Sequence, residues 1–166
     1  LLHGTGWVPW SGYVGATAGD KKQHIPPLLL NDGPQGFRAF PSVLHHGTST
    51  QFPSGLSIAA TWDEDAARTW GEAMGAEFVG KGASVQLGPG LCVARVPQDG
   101  RNFEYLSGED PILGHDMVAQ AIRGIQQTGV IANAKHWVMN NQETNRHGVT
   151  EVVDERTMYE LYYVPF

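Results

Sequence analysis

The chain has 166 residues, of which 41% are hydrophobic and 17% charged, with a net charge of −6, enough for one domain with a real core. No basic cluster exceeds Lys21-Lys22, so neither nucleic acid nor an anionic membrane is an expected partner, and no apolar run approaches the ~20 residues of a membrane helix. A single cysteine, Cys92, excludes an internal disulfide. Residues 1–24 are rich in Gly, Trp and Thr and show no period, which predicts an irregular arm. Its aromatic residues Trp7, Trp10 and Tyr13 suit either a sugar-stacking face or pins that hold the arm to the body. The first strand is expected at Leu28–Leu30, stopped by the turn signal Asn31-Asp32-Gly33-Pro34. Residues 39–55 are loop-like, and "LSIAATW" at 56–62 reads as a second strand.

From Asp63 the pattern turns helical. Asp63, Glu64 and Asp65 suit a positive helix N-terminus. Ala66, Trp70, Ala73, Met74 and Phe78 fall on one face, and Gly80 and Gly82 are fit to end the helix. "ASVQLGPGLCV" predicts a third strand broken by Gly88-Pro89-Gly90. Residues 94–111 form a long polar loop. A second amphipathic helix spans 112–128, with Met117, Ala121, Ile122 and Ile125 inward and Gly129 past its end. "GVIANAKHW" predicts a fourth strand from Val130, and a last helical pattern starts at Asp154. Strands alternating with helices indicate parallel α/β structure.

Successive apolar runs stop at polar clusters: Asp32, the loop carrying Arg101, and Lys135-His136. Ligands of parallel α/β folds bind at the carboxyl ends of strands, so these residues are expected on one rim. Plainer readings exist for each. Asp32 suits an ordinary Asp-Gly turn, Arg101 a surface loop, and Lys135-His136 a strand end that reaches water. Glu143 and Arg146 suit an ion pair tying down the following loop. Neighbouring residues of a regular strand face opposite sides. A joint role for Lys135 and His136 therefore predicts an irregular backbone there, a cis peptide bond not preceding proline being one way to supply it.

Other chemistries find no support. "GPG" at 88–90 lacks the N–H groups and following Lys of a phosphate loop, and His45-His46 lacks zinc-motif spacing. There is no Gly-x-Ser-x-Gly elbow. Cys92, among apolar neighbours, reads as an inert core residue. No metal or cofactor is expected.

Three blocks, "LLLNDGPQGFR", "LGPGLCVARVPQDGRNFEYLSGEDPILG" and "AKHWVMNNQETNR", resemble successive blocks of glycoside hydrolase family 3, in its β-glucosidase and β-xylosidase branch. The resemblance runs from about Gly4 to the end. It implies an α/β fold that is the N-terminal portion of a (β/α)8 barrel domain spanning 1–166, with about four strands and alternating helices. It implies that Asp32 holds hydroxyls of the terminal sugar and that Arg38 supports Asp32. It further implies that Arg101, Lys135 and His136 hydrogen-bond the same sugar, and that Arg146 lies near the nucleophile. Family members retain configuration with two carboxylates. The family's nucleophile sits in a Ser-Asp-Trp-like motif on a later strand and its acid/base glutamate in a following domain. Neither motif is found here, so no catalytic residue is expected in this chain. The expectation is the sugar-binding half of a secreted β-glucosidase-like hydrolase whose partner is a β-glucoside or oligosaccharide. The alternative is a non-catalytic carbohydrate-binding half-barrel that needs a partner or the missing C-terminal half. Four strands of an open barrel leave two bare edges, at 28–31 and at 130–136, so self-association, pairing with a second half-barrel, or marginal stability with aggregation is expected.

Overall fold

The computed structural model describes residues 4–5, 12–39 and 47–166. Trp7, Trp10, His45 and His46 lie outside them. Four short strands, β1 (Gly15–Ala16), β2 (Leu29–Asp32), β3 (Val85–Leu87) and β4 (Ile131–Ala132), form one sheet in the order β1-β2-β3-β4. β2, β3 and β4 are parallel, with Leu30 beside Val85, Asp32 beside Leu87, and Val85 beside Ile131. Helices follow the strands: α1 (Gly55–Ala59) and α2 (Glu64–Gly80) after β2, α3 (Pro111–Gln127) after β3, and α4 (Glu155–Thr157) after β4. α4 continues into a π-helical turn over Met158–Tyr162. The sheet is an open α/β segment and does not close into a barrel.

Three expectations are corrected. Residues 56–62 form no strand. Ser54 caps α1 by accepting the Ser57 N–H, and a helical turn then buries Ile58 and Ala59 while Leu56 faces out. An N-cap serine after a proline was the stronger local signal. The arm is not wholly irregular, since Gly15 and Ala16 pair antiparallel with Leu30 and Leu29. The outer edge of β2 is therefore covered rather than bare. Finally, the buried stripe of α2 is Ala67, Trp70, Gly71, Met74, Gly75 and Phe78, and Ala73 is exposed. Counting apolar side chains overlooked the glycines, which here mark the packed face.

Those glycines explain how α2 and α3 approach. A Cβ on Gly71 would lie 2.3 Å from the Ala121 carbonyl oxygen, and one on Gly124 would lie 2.2 Å from that of Arg68. Around this contact Ala67, Trp70, Met74, Leu91, Leu106, Met117 and Ala121 form one core cluster, and Phe37, Phe78, Ala83, Ile125 and Val130 form a second. Asp63 and Asp110 cap the two helices, Asp63 accepting the Asp65 and Ala66 N–H groups and Asp110 that of Ile112. Gly129, at φ 90°, turns the chain from α3 into β4.

The close approach of α2 and α3 predicts that Gly71→Ala lowers unfolding stability by about 1–3 kcal/mol through overpacking. Gly80→Ala, at a helix end where an added Cβ meets nothing within 4 Å, should leave stability unchanged or slightly higher. Urea denaturation midpoints of the two variants check the contrast, and equal effects would mean the interhelical contact does not require glycine.

Candidate functional site

The site is assembled by a short segment that runs between two loops. After β3 the Gly88–Pro89 bond is cis. Residues 89–91 then bond to the Lys135 strand end on one side, with Lys135 N–H donating to the Pro89 carbonyl at 3.0 Å and Leu91 N–H to the Lys135 carbonyl at 2.9 Å. On the other side Leu106 N–H donates to the Gly90 carbonyl at 2.9 Å. Gly90 is required because a Cβ there would meet the Tyr105 ring at 2.6 Å. The expected polar loop at 94–111 is thus partly internal: Tyr105, Leu106 and Ser107 are buried, and 3-10 turns span Pro97–Asp99 and Asn102–Glu104. The Lys135–His136 and Trp137–Val138 bonds are also cis, so the irregular backbone expected at this strand end is present.

Lys135 is the centre of the site. Its ammonium is 3.0 Å from Asp32 Oδ1 and 3.9 Å from Glu104 Oε1. Glu104 also takes a 2.5 Å contact from Arg101 Nη2. Arg38 Nη1 lies 3.3 Å from Asp32 Oδ2. Glu143 Oε2 is shared by Arg101 Nη1 at 3.5 Å and Arg146 Nη1 at 3.3 Å. The Glu143–Arg146 pair therefore exists and is tied into the site through Arg101. Asn141, in the same polar run, pins the loop by donating to the Val93 carbonyl.

The imidazole of His136 lies within a hydrogen-bonded series whose direction follows from its members. Arg101 Nη2 is 3.5 Å from Nε2, and a guanidinium only donates, so Nε2 accepts. Nδ1 then carries the proton and faces the Tyr105 hydroxyl at 3.3 Å, which donates in turn to the Asn140 carbonyl at 3.2 Å. Cys92 packs beside it, its Sγ 3.4 Å from the His136 backbone nitrogen. Burial raises the Cys92 thiol, keeping it protonated.

Charge states follow from the same contacts. Burial would raise the Asp32 carboxyl, but Lys135, Arg38 and Arg101 together outweigh it and hold the group below its ordinary value. His136 is pushed down to about 4, first by burial and then by Lys135 and Arg101, so the ring is neutral at pH 7. Burial opposes the Arg101 charge, yet its Glu104 hydrogen bond and acidic neighbours raise it overall.

Two adjoining lobes open from this cluster and share Asp32, Arg101 and Lys135. One, of about 430 Å³, is walled by His136, Arg146, Leu87 and Asn133. The other, of about 310 Å³, is walled by Arg38, Gln35, Thr50 and Glu104. All six residues singled out in the sequence therefore border one cleft. Glu104, Tyr105 and Asn140 were not singled out. For Glu104 a signal was available, because residues three apart on a 3-10 turn eclipse, and Arg101 and Glu104 have that spacing. Tyr105 gave none: nothing local marks it as the partner of a residue 31 positions on. The cluster offers a charged acceptor, several fixed donors and a neutral imidazole, the mixed set that a polyol requires. Among the described residues no group of His, Cys, Asp or Glu is arranged to hold a metal ion.

The profile of the glycosyl hydrolase family 3 N terminal domain matches residues 14–166. Beta-glucosidase B of Emericella nidulans is 46% identical over 143 residues, covering 86% of this chain and 17% of that protein. Probable beta-glucosidase A of Aspergillus terreus is 42% identical over 180 residues, covering 100% of this chain and 20% of that protein. Among solved structures, beta-glucosidase 3B of Thermotoga neapolitana in complex with glucose superposes with a TM-score of 0.89 at 36% identity, covering 98% of this chain and 24% of that one. The chain thus spans about a fifth of the length of these curated relatives.

The His136 environment has a measurable consequence. Its folded value near 4 lies below the ordinary 6.5, so between those values the unfolded state binds the extra proton. Stability is therefore fully present above pH 6.5 and falls as pH drops toward 4. The depressed Asp32 adds its own loss only below its ordinary 3.8. Denaturation free energies measured from pH 7 to 4 should show this slope in the wild type, and His136→Gln should flatten it; an unchanged slope would assign it elsewhere.

Proposed function

The chain belongs to glycosyl hydrolase family 3, and from that premise we propose that it is the sugar-binding part of a retaining β-glucosidase-like hydrolase acting on β-linked glucosides. The observation that carries the proposal is the convergence of Asp32, Arg101, Lys135 and His136 on one cleft at the carboxyl ends of neighbouring parallel strands. In this reading Asp32 accepts hydrogen bonds from sugar hydroxyls, while Lys135 and Arg101 donate to them. Neutral His136 exchanges its Arg101 donor for a hydroxyl. Arg38 steadies the Asp32 carboxylate, Glu104 fixes the two central cations, and Arg146 borders the face where the anomeric carbon would lie. Charge-assisted bonds of this kind outweigh those between neutral groups, and contacts that strengthen in an oxocarbenium-like transition state would speed cleavage. The nucleophile and acid/base carboxylates of such a reaction would come from outside these residues, and the hydrolase in this reading is a secreted one.

A second reading is favoured by the open sheet. β4 is the outermost strand, Ile131 on it is 47% exposed, and among the described residues its far edge has no strand partner. In this reading the chain is a carbohydrate-binding half-barrel that takes a second copy or a complementary half along that edge.

For the first reading, calorimetric titration with methyl β-D-glucoside should detect binding, and Asp32→Asn should weaken it by roughly 10- to 100-fold, the worth of a charged hydrogen bond. The isolated chain should release no aryl alcohol from an aryl β-glucoside, and turnover would contradict the absence of the catalytic pair. For the second, sedimentation velocity should show association that rises with concentration. A compact monomer throughout would refute the edge-pairing reading.

A further inference from the structure

The carboxyl ends of the three parallel strands carry a row of side chains on one face. Asp32 stands beside Leu87 in register. The next strand pairs Gln86 with Ala132, which sets Asn133 beside Leu87. Alternation along each strand points this row away from the helices, whereas Asn31 and Gln86, one step back, point into the packed layer and are fully buried. All three members of the row line the larger lobe. Asn133 is fixed by its backbone, because its N–H reaches the Gln86 carbonyl at 3.0 Å and the Gly88 carbonyl at 2.9 Å. Its side-chain amide has no hydrogen-bond partner among the described residues. The position is exposed and borders the lobe, so the amide is open to whatever enters it.

We infer that Asn133 is a substrate-contacting specificity residue that hydrogen-bonds a hydroxyl of the bound sugar on the side of the ring opposite Asp32. The inference rests on the glucoside-binding reading above and assigns that site a further contact. Two strand spacings separate Asp32 from Asn133, roughly 10 Å between backbones, a span suited to one pyranose ring with a hydrogen bond at each end. Leu87 lies between them and offers an apolar surface to the ring's C–H face. The row thus presents a carboxylate, an isobutyl group and an amide in sequence. A carboxylate takes only donors, whereas an amide both donates and accepts. Asn133 can therefore satisfy a hydroxyl of either orientation without adding charge to a cleft that already holds several ion pairs.

The test uses the chain titrated with methyl β-D-glucoside and its four monodeoxy analogues, at the 2, 3, 4 and 6 positions. Asn133→Ala should leave the melting temperature unchanged, since the side chain packs against nothing it must satisfy. It should weaken the parent glucoside roughly five- to tenfold, the worth of one neutral hydrogen bond. One monodeoxy analogue, lacking the hydroxyl that Asn133 holds, should bind wild type and variant equally. Equal affinity of the parent glucoside for both proteins overturns the inference, as does an identical loss for all four analogues. If Asp32→Asn weakens binding and Asn133→Ala does not, the glucoside reading stands and this contact falls. If wild type binds no glucoside, both fall together.

Discussion

The ammonium of Lys135 is the constraint around which the site is organised. The residue is 9% exposed, and an ammonium withdrawn from water without partners costs several kcal/mol. Its partners come from distant parts of the chain, Asp32 at the end of β2 and Glu104 on the turn after β3. Satisfying the charge therefore requires that β2 and the segment after β4 end at the same level. It also requires that the 94–111 loop fold back over them. Glu104 is shared between the two cations, because the same carboxylate oxygen faces Arg101 and Lys135. Removing any one of these groups leaves its neighbours with one partner fewer, and effects of substitution within such a shared network are not expected to add.

The packing beneath the site serves the same end. Glycines at 71 and 124 bring α2 and α3 to backbone contact, and that pair closes the helical layer behind the sheet. Gly90 does similar work at the rim by admitting the Tyr105 ring. Tyr105 then fixes the imidazole of His136 from the side opposite Arg101. The contacts that hold the functional side chains are thus continuous with those that hold the helices. They pass through Leu91 and Leu106, which are fully buried and adjoin Gly90 and Tyr105 in the chain.

Much of this is legible in the sequence. The two long helices announced themselves by period and by aspartate caps, and the strand ends by polar clusters following apolar runs. Asp32, Arg101, Lys135 and His136 each had a plain local use, and they were legible as one site only because successive apolar runs end at them and the three blocks that carry them resemble one family in order. The short elements were less legible. α1 contains a run that suits a strand equally well, and only the Ser54 cap distinguishes it. β1 has two residues, Gly15 and Ala16, too few to carry a period, and it exists because β2 presents an edge. Tyr105 and Asn140 enter the site through partners more than thirty positions away, and no local pattern encodes such a meeting.

The direction of the Arg101–His136–Tyr105–Asn140 series has a thermodynamic corollary. Asp32 is held below its ordinary value, His136 titrates near 4, and the Tyr105 hydroxyl is raised well above its ordinary value. None of these three changes its protonation near neutrality. A hydroxyl that donated to His136 Nε2 would take the place of the Arg101 N–H. One donor replaces another, and the polarity of the series is kept. Capture of an uncharged ligand by these groups would then exchange no protons with the solvent. Its heat would be the same in buffers of different ionisation enthalpy, and its affinity would be level across the neutral range.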